Sequence, residues 1–211
     1  MKISVQIPTS LREITLRQYQ QYEASKKTPE DTIRIFLKGS QKQIRNLPAN
    51  VINSLTDDIK KVFESENVFY NKVKIGGQMY GFIPSLNEMS YGEYIDVIEN
   101  IGSWETIHKS MAVLYRPIEL SKGKDYTIAK YNGTANLSET MESMPLDVAL
   151  GAVFFLINLQ MTLLNDTLNS TLDNLTEKQE MDLLKSGVNT TQLYNSLTLL
   201  GWDSTKLQIS V

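Results

Sequence analysis

Side chains that perform most enzymatic chemistry are scarce in this chain. His108 is the only histidine among 211 residues, and there is no cysteine. Catalytic triads, two-histidine zinc sites and thiolate chemistry therefore lack their parts. Three carboxylate pairs remain: Asp57 with Asp58, Asp96 with Glu99, and Glu139 with Glu142. At three-residue spacing Asp96 and Glu99 share a helix face, and magnesium can be held by few carboxylates when phosphates complete its shell. The matching phosphate loop is missing. Gly76-Gly77-x-x-x-Gly81 lacks the Lys-Ser/Thr pair and lies in an expected hairpin. There is no Gly-x-Ser-x-Gly nucleophile elbow. The expectation is a protein with no catalytic, cofactor-binding or metal-binding residues. A metal-assisted enzyme using Asp96 and Glu99 is the alternative from another class. His108, in Thr106-Ile107-His108-Lys109, is expected to be a partly exposed or hydrogen-bonded structural histidine. Arg116 before Pro117 reads as a buried ion-pair partner or an interface arginine.

Composition narrows the partners. Hydrophobic residues make up 41% and charged residues 21%, enough apolar material for a real core. The net charge is −3 and the isoelectric point about 5.3, which argues against nucleic acid. The most basic stretch, Lys26 and Lys27 through Arg34, Lys38, Lys42 and Arg45, is diluted by Glu30 and Asp31 and reads as a solvated face. The opening residues lack the apolar core of a secretion signal, and the absence of cysteine fits a chain kept out of oxidising compartments. The Asn-x-Ser/Thr triplets at Asn132, Asn136, Asn165, Asn169, Asn174 and Asn189 then read as chance. Val148 to Leu164 is the one stretch that invites a membrane reading. It is shorter than the ~20 residues a span needs and carries Asn158 and Gln160, so a buried core helix is expected.

The elements that would position these residues can be read along the chain. Ile3, Val5 and Ile7 alternate as in a short strand ending at Pro8. Thr15 can cap a helix carrying Leu16, Tyr19 and Tyr22. Thr28-Pro29-Glu30-Asp31 is a helix start with a capping hydroxyl, a first-turn proline and dipole-matched acids; Gly39 is the expected stop. A further helix is expected from Asn46 and Pro48 through Phe63. Val68 to Tyr70 and Val73 to Ile75 read as strand, Gly76-Gly77 as a two-residue turn, and Gln78 to Ile83 as the returning strand. Ser90-x-x-Glu93 is a capping box opening a helix that Gly102 breaks. Trp104 to Tyr115 reads as helix, ended before Pro117; Asp125 to Tyr131 reads as strand. Pro145 and Asp147 open a helix whose residues Val148 to Ile157 are all apolar or small, the mark of burial on every side. Thr176-x-x-Gln179 and a last helix around Leu193, Leu197 and Leu200 follow. The expected architecture is a single α+β domain over 1–211, predominantly α-helical, with helices around a long buried helix of the C-terminal third and a small antiparallel β unit. Weak sub-boundaries fall near 66 and 135.

Two groups of residues are candidates for partner binding. Leu164, Leu168, Leu172 and Leu175 recur at four-residue spacing among small polar residues, a pattern equally suited to a core helix and to a docking face. Tyr19 and Tyr22, like the pairs Phe69–Tyr70 and Tyr91–Tyr94, read as core or interface anchors, since no basic groove accompanies them for stacking on bases.

Four stretches in order resemble a known family: Ile14 to Tyr22 (ITLRQYQQY), Tyr80 to Leu86 running into Met89 to Asp96 (MSYGEYID), Ile107 to Ile118 (IHKSMAVLYRPI) and Met144 to Leu159 (MPLDVALGAVFFLINL). Together they resemble tailed-bacteriophage proteins encoded among structural genes and described as tail-assembly-chaperone or baseplate-hub-assembly-like. The resemblance covers roughly residues 14 to 159 and leaves the last fifty or so residues uncovered. It implies virion assembly by protein–protein binding in the host cytoplasm, with other phage structural proteins, or further copies of the chain, as partners. It brings no catalytic residues. A resident virion component, such as a connector, ring or cargo protein of tail or capsid, is the alternative it leaves open.

Overall fold

The computed structural model describes residues 6–37 and 44–172, with no side-chain description for residue 160 and residues 163–172. The expected strand over Ile3 to Ile7, the stop at Gly39 and every element expected beyond residue 172 fall wholly or largely outside the described residues.

Local chemistry sets three helix starts among the described residues, at Leu16, Pro29 and Tyr91. Helix α1 (Leu16–Ala24) opens on a capping box in which Thr15 and Gln18 satisfy each other's backbone N–H groups. Two further orphan donors of its first turn, the N–H groups of Leu16 and Arg17, bond the carbonyls of Met144 and Glu142 at 2.8 Å. Leu146 returns a bond to Ile14. The short bridge Thr15–Pro145 thus ties the start of α1 to the start of a helix some 130 residues later. Ion pairs from Arg12 to Asp147 and from Arg17 to Glu142 flank it. Helix α2 (Pro29–Phe36) begins as expected, with Thr28 accepting from the Asp31 N–H. Helix α3 (Ala49–Val62) starts later than the sequence implied. Pro48 occupies the cap, no side chain caps it, and Asn46 lies outside it. The extended conformation of Pro48 supplies the turn-in that Asn46 was expected to give.

The sheet is four-stranded and antiparallel in the order β1-β2-β3-β4. β1 (Lys72–Ile75) and β2 (Gln78–Phe82) form a hairpin over Gly76 and Gly77, both at positive φ. Helices α4 (Tyr91–Ile101) and α5 (Ile107–Leu114) separate β2 from β3 (Tyr115–Lys122), which pairs with β4 (Asp125–Ile128) around Gly123. One expectation fails here, and one strand goes beyond what the sequence implied. Val68 to Tyr70 is not strand; the Tyr70 carbonyl accepts the Tyr115 hydroxyl at 2.5 Å instead of a ladder N–H. And the chain turns from helix to strand at Tyr115, with Pro117 inside β3. Pro117 is tolerated because β3 changes partner there. Tyr115 to Pro117 pair with β2, and from Ile118 the strand pairs with β4 past a register shift at Glu119.

Helix α6 (Ala135–Met141) leads into α7 (Leu146–Leu172). The fold is α+β and mostly helical. Residues 1–152 form one compact unit and 153–211 a second, so the division falls within α7, and the positions near 66 and 135 lie inside the first unit. In that first unit Leu146, Val148, Ala149 and Ala152 are fully buried. Burial on all sides through Ile157, however, is not what the helix shows: Leu150 and Phe154 to Leu156 are partly exposed. An uninterrupted apolar composition does not record which flank a neighbour leaves open.

Aromatic packing fills the core of the first unit. Tyr22, Phe36 and Phe63 lie 5.3–5.6 Å apart between α1, α2 and the end of α3, and Tyr19 joins them to Trp104 at 4.7 Å. A second group, Phe69, Phe82 and Tyr115, packs edge-to-face against the inner side of the sheet. The segment before β1 crosses α7 at Gly151, where a Cβ would fall 2.9 Å from the Val68 carbonyl carbon. Backbone lies against backbone, so only glycine fits. Gly151→Ala adds ~1 kcal/mol of helix propensity but forces the segment at Val68 apart from α7, and overpacking of this kind costs ~1–3 kcal/mol or more. Urea denaturation is expected to give a net loss of stability; an unchanged or raised midpoint would contradict the close approach.

Candidate functional site

Helix α4 has two unlike sides. Its inner side is tied down. Ser90 and Glu93 close the expected capping box, with one Glu93 oxygen accepting from the Ser90 N–H and hydroxyl, both at 2.7 Å. The other Glu93 oxygen receives Arg116 of β3 at 2.8 Å, with both side chains 8% exposed. Arg116 is therefore the buried ion-pair partner that was one of its two expected roles. Its Nε is buried without a hydrogen-bond partner. The guanidinium carbon lies 5.9 Å from the Tyr131 ring, and the Tyr131 hydroxyl donates to Asp96 one turn along α4. Burial first, and then this bond to a carboxylate, push the Tyr131 phenol well above its usual range. Ser110 of α5 donates to the Val97 carbonyl at 3.0 Å, and Thr106 to that of Asn100.

Its outer side is apolar and uncovered. Tyr91 is 80% exposed, Tyr94 52% and Ile98 48%. Their i, i+3, i+7 spacing makes one stripe. Between Lys74 and Lys109 the chain carries no lysine or arginine but five acids: Glu88, Glu93, Asp96, Glu99 and Glu105. Glu93 is spent on Arg116, while Glu88, Glu99 and Glu105 are exposed. The outer side of α4 is thus an aromatic and aliphatic stripe on a helix held from behind by hydrogen bonds and an ion pair.

The residues singled out in the sequence fall in several places. Tyr22 is buried and Tyr19 half-buried, both inside the aromatic cluster, so these rings are occupied within the chain. Leu164, Leu168 and Leu172 lie on the helical backbone of α7, but their side chains, like Leu175, are outside the described residues. Asp96 faces Tyr131 and Glu99 faces solvent. Asp58 pairs with Lys61, and Glu142 with Arg17. Lys27 and Arg34 of the basic stretch pair with Glu23 and Asp31. Among the described residues no three His, Asp or Glu side chains converge as metal ligands, and no helix is long and apolar enough to cross a membrane. An open groove of about 300 Å³ beside Pro8, Asp58 and Lys61 holds charges already paired with each other. Tyr91 and Tyr94 read in the sequence as core or interface anchors, like the other tyrosine pairs, with nothing to set them apart as exposed. The usable signal was helix phase: once Ser90 is the cap and Glu93 and Val97 point inward, Tyr91, Tyr94 and Ile98 point out.

Comparisons with protein-family models, with curated proteins and with solved structures gave no match to this chain.

His108 has a structural setting. Gln20 Nε2 lies 3.0 Å from His108 Nδ1, and an amide nitrogen can only donate, so Nδ1 accepts and the ring hydrogen sits on Nε2, toward Glu142 4.0 Å away. Desolvation outweighs the pull of Glu142 and lowers the His108 pKa below its usual ~6.5. The unfolded chain therefore takes up this proton first. Stability is full above ~6.5 and falls as pH drops through the interval between ~6.5 and the lower folded value. Melting temperatures across pH 5–8 (about the histidine range) are expected to show this slope in the native chain and a flatter one in His108→Gln; equal slopes would contradict it. The ion pair gives a second expectation. Arg116→Met leaves Glu93 charged, buried and unpaired, at a cost of ~3–5 kcal/mol in denaturant unfolding. Glu93→Gln added to it keeps the capping box and removes the charge, and is expected to recover most of that loss. A double variant no better than the single one would show that burial of the charge is not the cause.

Proposed function

We propose that this chain is a tailed-bacteriophage assembly protein that acts by binding other virion proteins through the outer face of α4. The observation that carries the reading is the exposed stripe Tyr91, Tyr94 and Ile98 on a helix whose opposite side is fixed by the Glu93–Arg116 pair. Large aromatic side chains left in water on a rigid element are the usual anchors of a protein interface. The phage setting rests on the resemblance of residues 14 to 159 and places the protein in the host cytoplasm during assembly. Partners are then other phage structural proteins, and the described surface offers them shape and charge.

In a phage that encodes this chain, Tyr91→Ser combined with Ile98→Ser is expected to lower the yield of infectious particles about tenfold or more, since two anchors are removed. Electron microscopy is expected to show incomplete particles, while circular dichroism of the purified variant stays native. A wild-type yield would mean that this face has no part in assembly. Mass spectrometry of finished particles then tells a transient chaperone, which is absent, from a resident component, which is recovered in fixed ratio.

A further inference from the structure

The link between the sheet and α6 carries a dipeptide with chemistry of its own. Asparagine is followed by glycine at a single place in the sequence, Asn132-Gly133. The pair lies in residues 129–134, which belong to no helix or strand, and both residues are exposed. The link is fixed on either side of them. The Ala129 N–H bonds the Pro117 carbonyl at 2.9 Å, the Tyr131 hydroxyl bonds Asp96, and the Thr134 carbonyl receives the N–H groups of Leu137 and Ser138. Between these anchors neither the Asn132 side chain nor the Gly133 N–H makes a hydrogen bond with any described residue. Gly133 has a φ of 77°, in the left-handed region, and a Cβ built on it would meet no atom within 4 Å. The side-chain amide and the next backbone nitrogen are thus neighbours in open space, and neither is committed to the fold.

We propose that Asn132-Gly133 is a site of spontaneous deamidation and isomerisation in the folded chain. The Gly133 nitrogen gives up its proton to solvent base and bonds to Cγ of Asn132. The Cγ–Nδ2 bond breaks, and Nδ2 takes up a proton and leaves as ammonia. A cyclic imide results, which water opens at either carbonyl. Addition at Cγ breaks its bond to the ring nitrogen and yields aspartate. Addition at the main-chain carbonyl breaks the bond there and yields isoaspartate, with the chain routed through Cγ. Water is the one co-reactant. Glycine suits the reaction because it has no Cβ to crowd the attacking nitrogen and passes freely between conformations. Asn53-Ser54 supplies the contrast. Both of its residues are exposed and the second is small, yet the pair lies inside α3, where helix hydrogen bonds hold the backbone N–H groups and fix the dihedral angles. Each event at Asn132 adds one negative charge to a chain of net charge −3. Isoaspartate also adds a methylene to the main chain between Tyr131 and α6.

Incubation of the full chain in mildly alkaline buffer, followed by digestion and mass spectrometry, tests this. The peptide containing residue 132 is expected to become a mixture of aspartate and isoaspartate, told apart by electron-transfer fragmentation, while Asn53 keeps its amide. Conversion is expected to quicken as pH rises, because the attacking amide must first lose its proton. Asn132→Gln, whose longer side chain closes a ring less readily, is expected to lose the product. Gly133→Asn places there a residue type that tolerates the left-handed conformation, and is expected to slow conversion at position 132 at least about tenfold. Circular dichroism confirms native folding of both variants. An Asn132 that stays as intact as Asn53 overturns the proposal, as does conversion that begins only when urea unfolds the chain. Aspartate without isoaspartate would mean direct hydrolysis with no backbone attack, and Gly133→Asn reacting as fast as the native chain would remove the part given to glycine; either result also overturns it.

Discussion

The buried contact between Glu93 and Arg116 joins two parts of the chain that nothing local would bring together. Both charges are out of water, and their attraction offsets that desolvation only because the remaining hydrogen-bonding capacity of the carboxylate is also used. Glu93 does this by dividing its oxygens, one closing the cap of α4 and the other holding β3. The first turn of the helix and the first residues of the strand are therefore fixed by a single side chain. Rotation of α4 about its axis would break the cap, the ion pair and the Tyr131–Asp96 bond together. The direction in which Tyr91, Tyr94 and Ile98 face is consequently set from inside the molecule rather than by the residues of the stripe themselves.

A similar economy operates where backbones meet. Gly81 lets the Tyr126 ring lie across β2, because a Cβ there would sit 2.7 Å from a ring carbon. The hydroxyl of that ring then bonds the Phe82 carbonyl at 2.7 Å. So β4 is held to β2 by a side chain as well as through β3, and the hairpin has a defined direction. Gly151 does the equivalent for the segment before β1. Hydrogen bonds from Tyr115 and Tyr126 then take the carbonyls of Tyr70 and Asn71, which explains why this stretch is ordered without being strand.

What the sequence made legible was what a few neighbouring residues decide. Thr15 with Gln18, Thr28 with Pro29, Ser90 with Glu93, and Gly76 with Gly77 each settle their own backbone, and each element they open was readable. The failures share a cause of the opposite kind. Tyr115-Arg116-Pro117 read as a helix end because proline stops helices, yet pairing with β2, more than thirty residues away, makes it a strand. Val68 to Tyr70 has strand composition, but the Tyr70 carbonyl is taken by the distant Tyr115 hydroxyl and the Val68 backbone lies against Gly151. Tyr19 and Tyr22 looked like anchors for a partner and are anchors for Phe36, Phe63 and Trp104. The choice between inside and outside for an aromatic residue depends on its helix phase relative to neighbours that the sequence does not name. Only Arg116 escaped this limit, because an arginine amid Val113, Leu114 and Tyr115 has few places to go except to an acid.

The distribution of charge makes the same point at larger scale. A net charge of −3 conceals a segment with five acids and no lysine or arginine between Lys74 and Lys109, and a sheet whose strands and turn carry more lysines than acids. In the folded unit the acidic segment supplies the ion-pair partner of Arg116 and the exposed apolar stripe of α4. The lysines of β1 and of the β3–β4 turn are divided between the two faces of the sheet, with Lys122 opposite Asp125 and Lys72 over the Tyr126 ring. The charge that matters for the position of α4 is therefore the buried one: Glu93, drawn to Arg116, fixes which side of the helix faces inward and leaves Tyr91, Tyr94 and Ile98 in water.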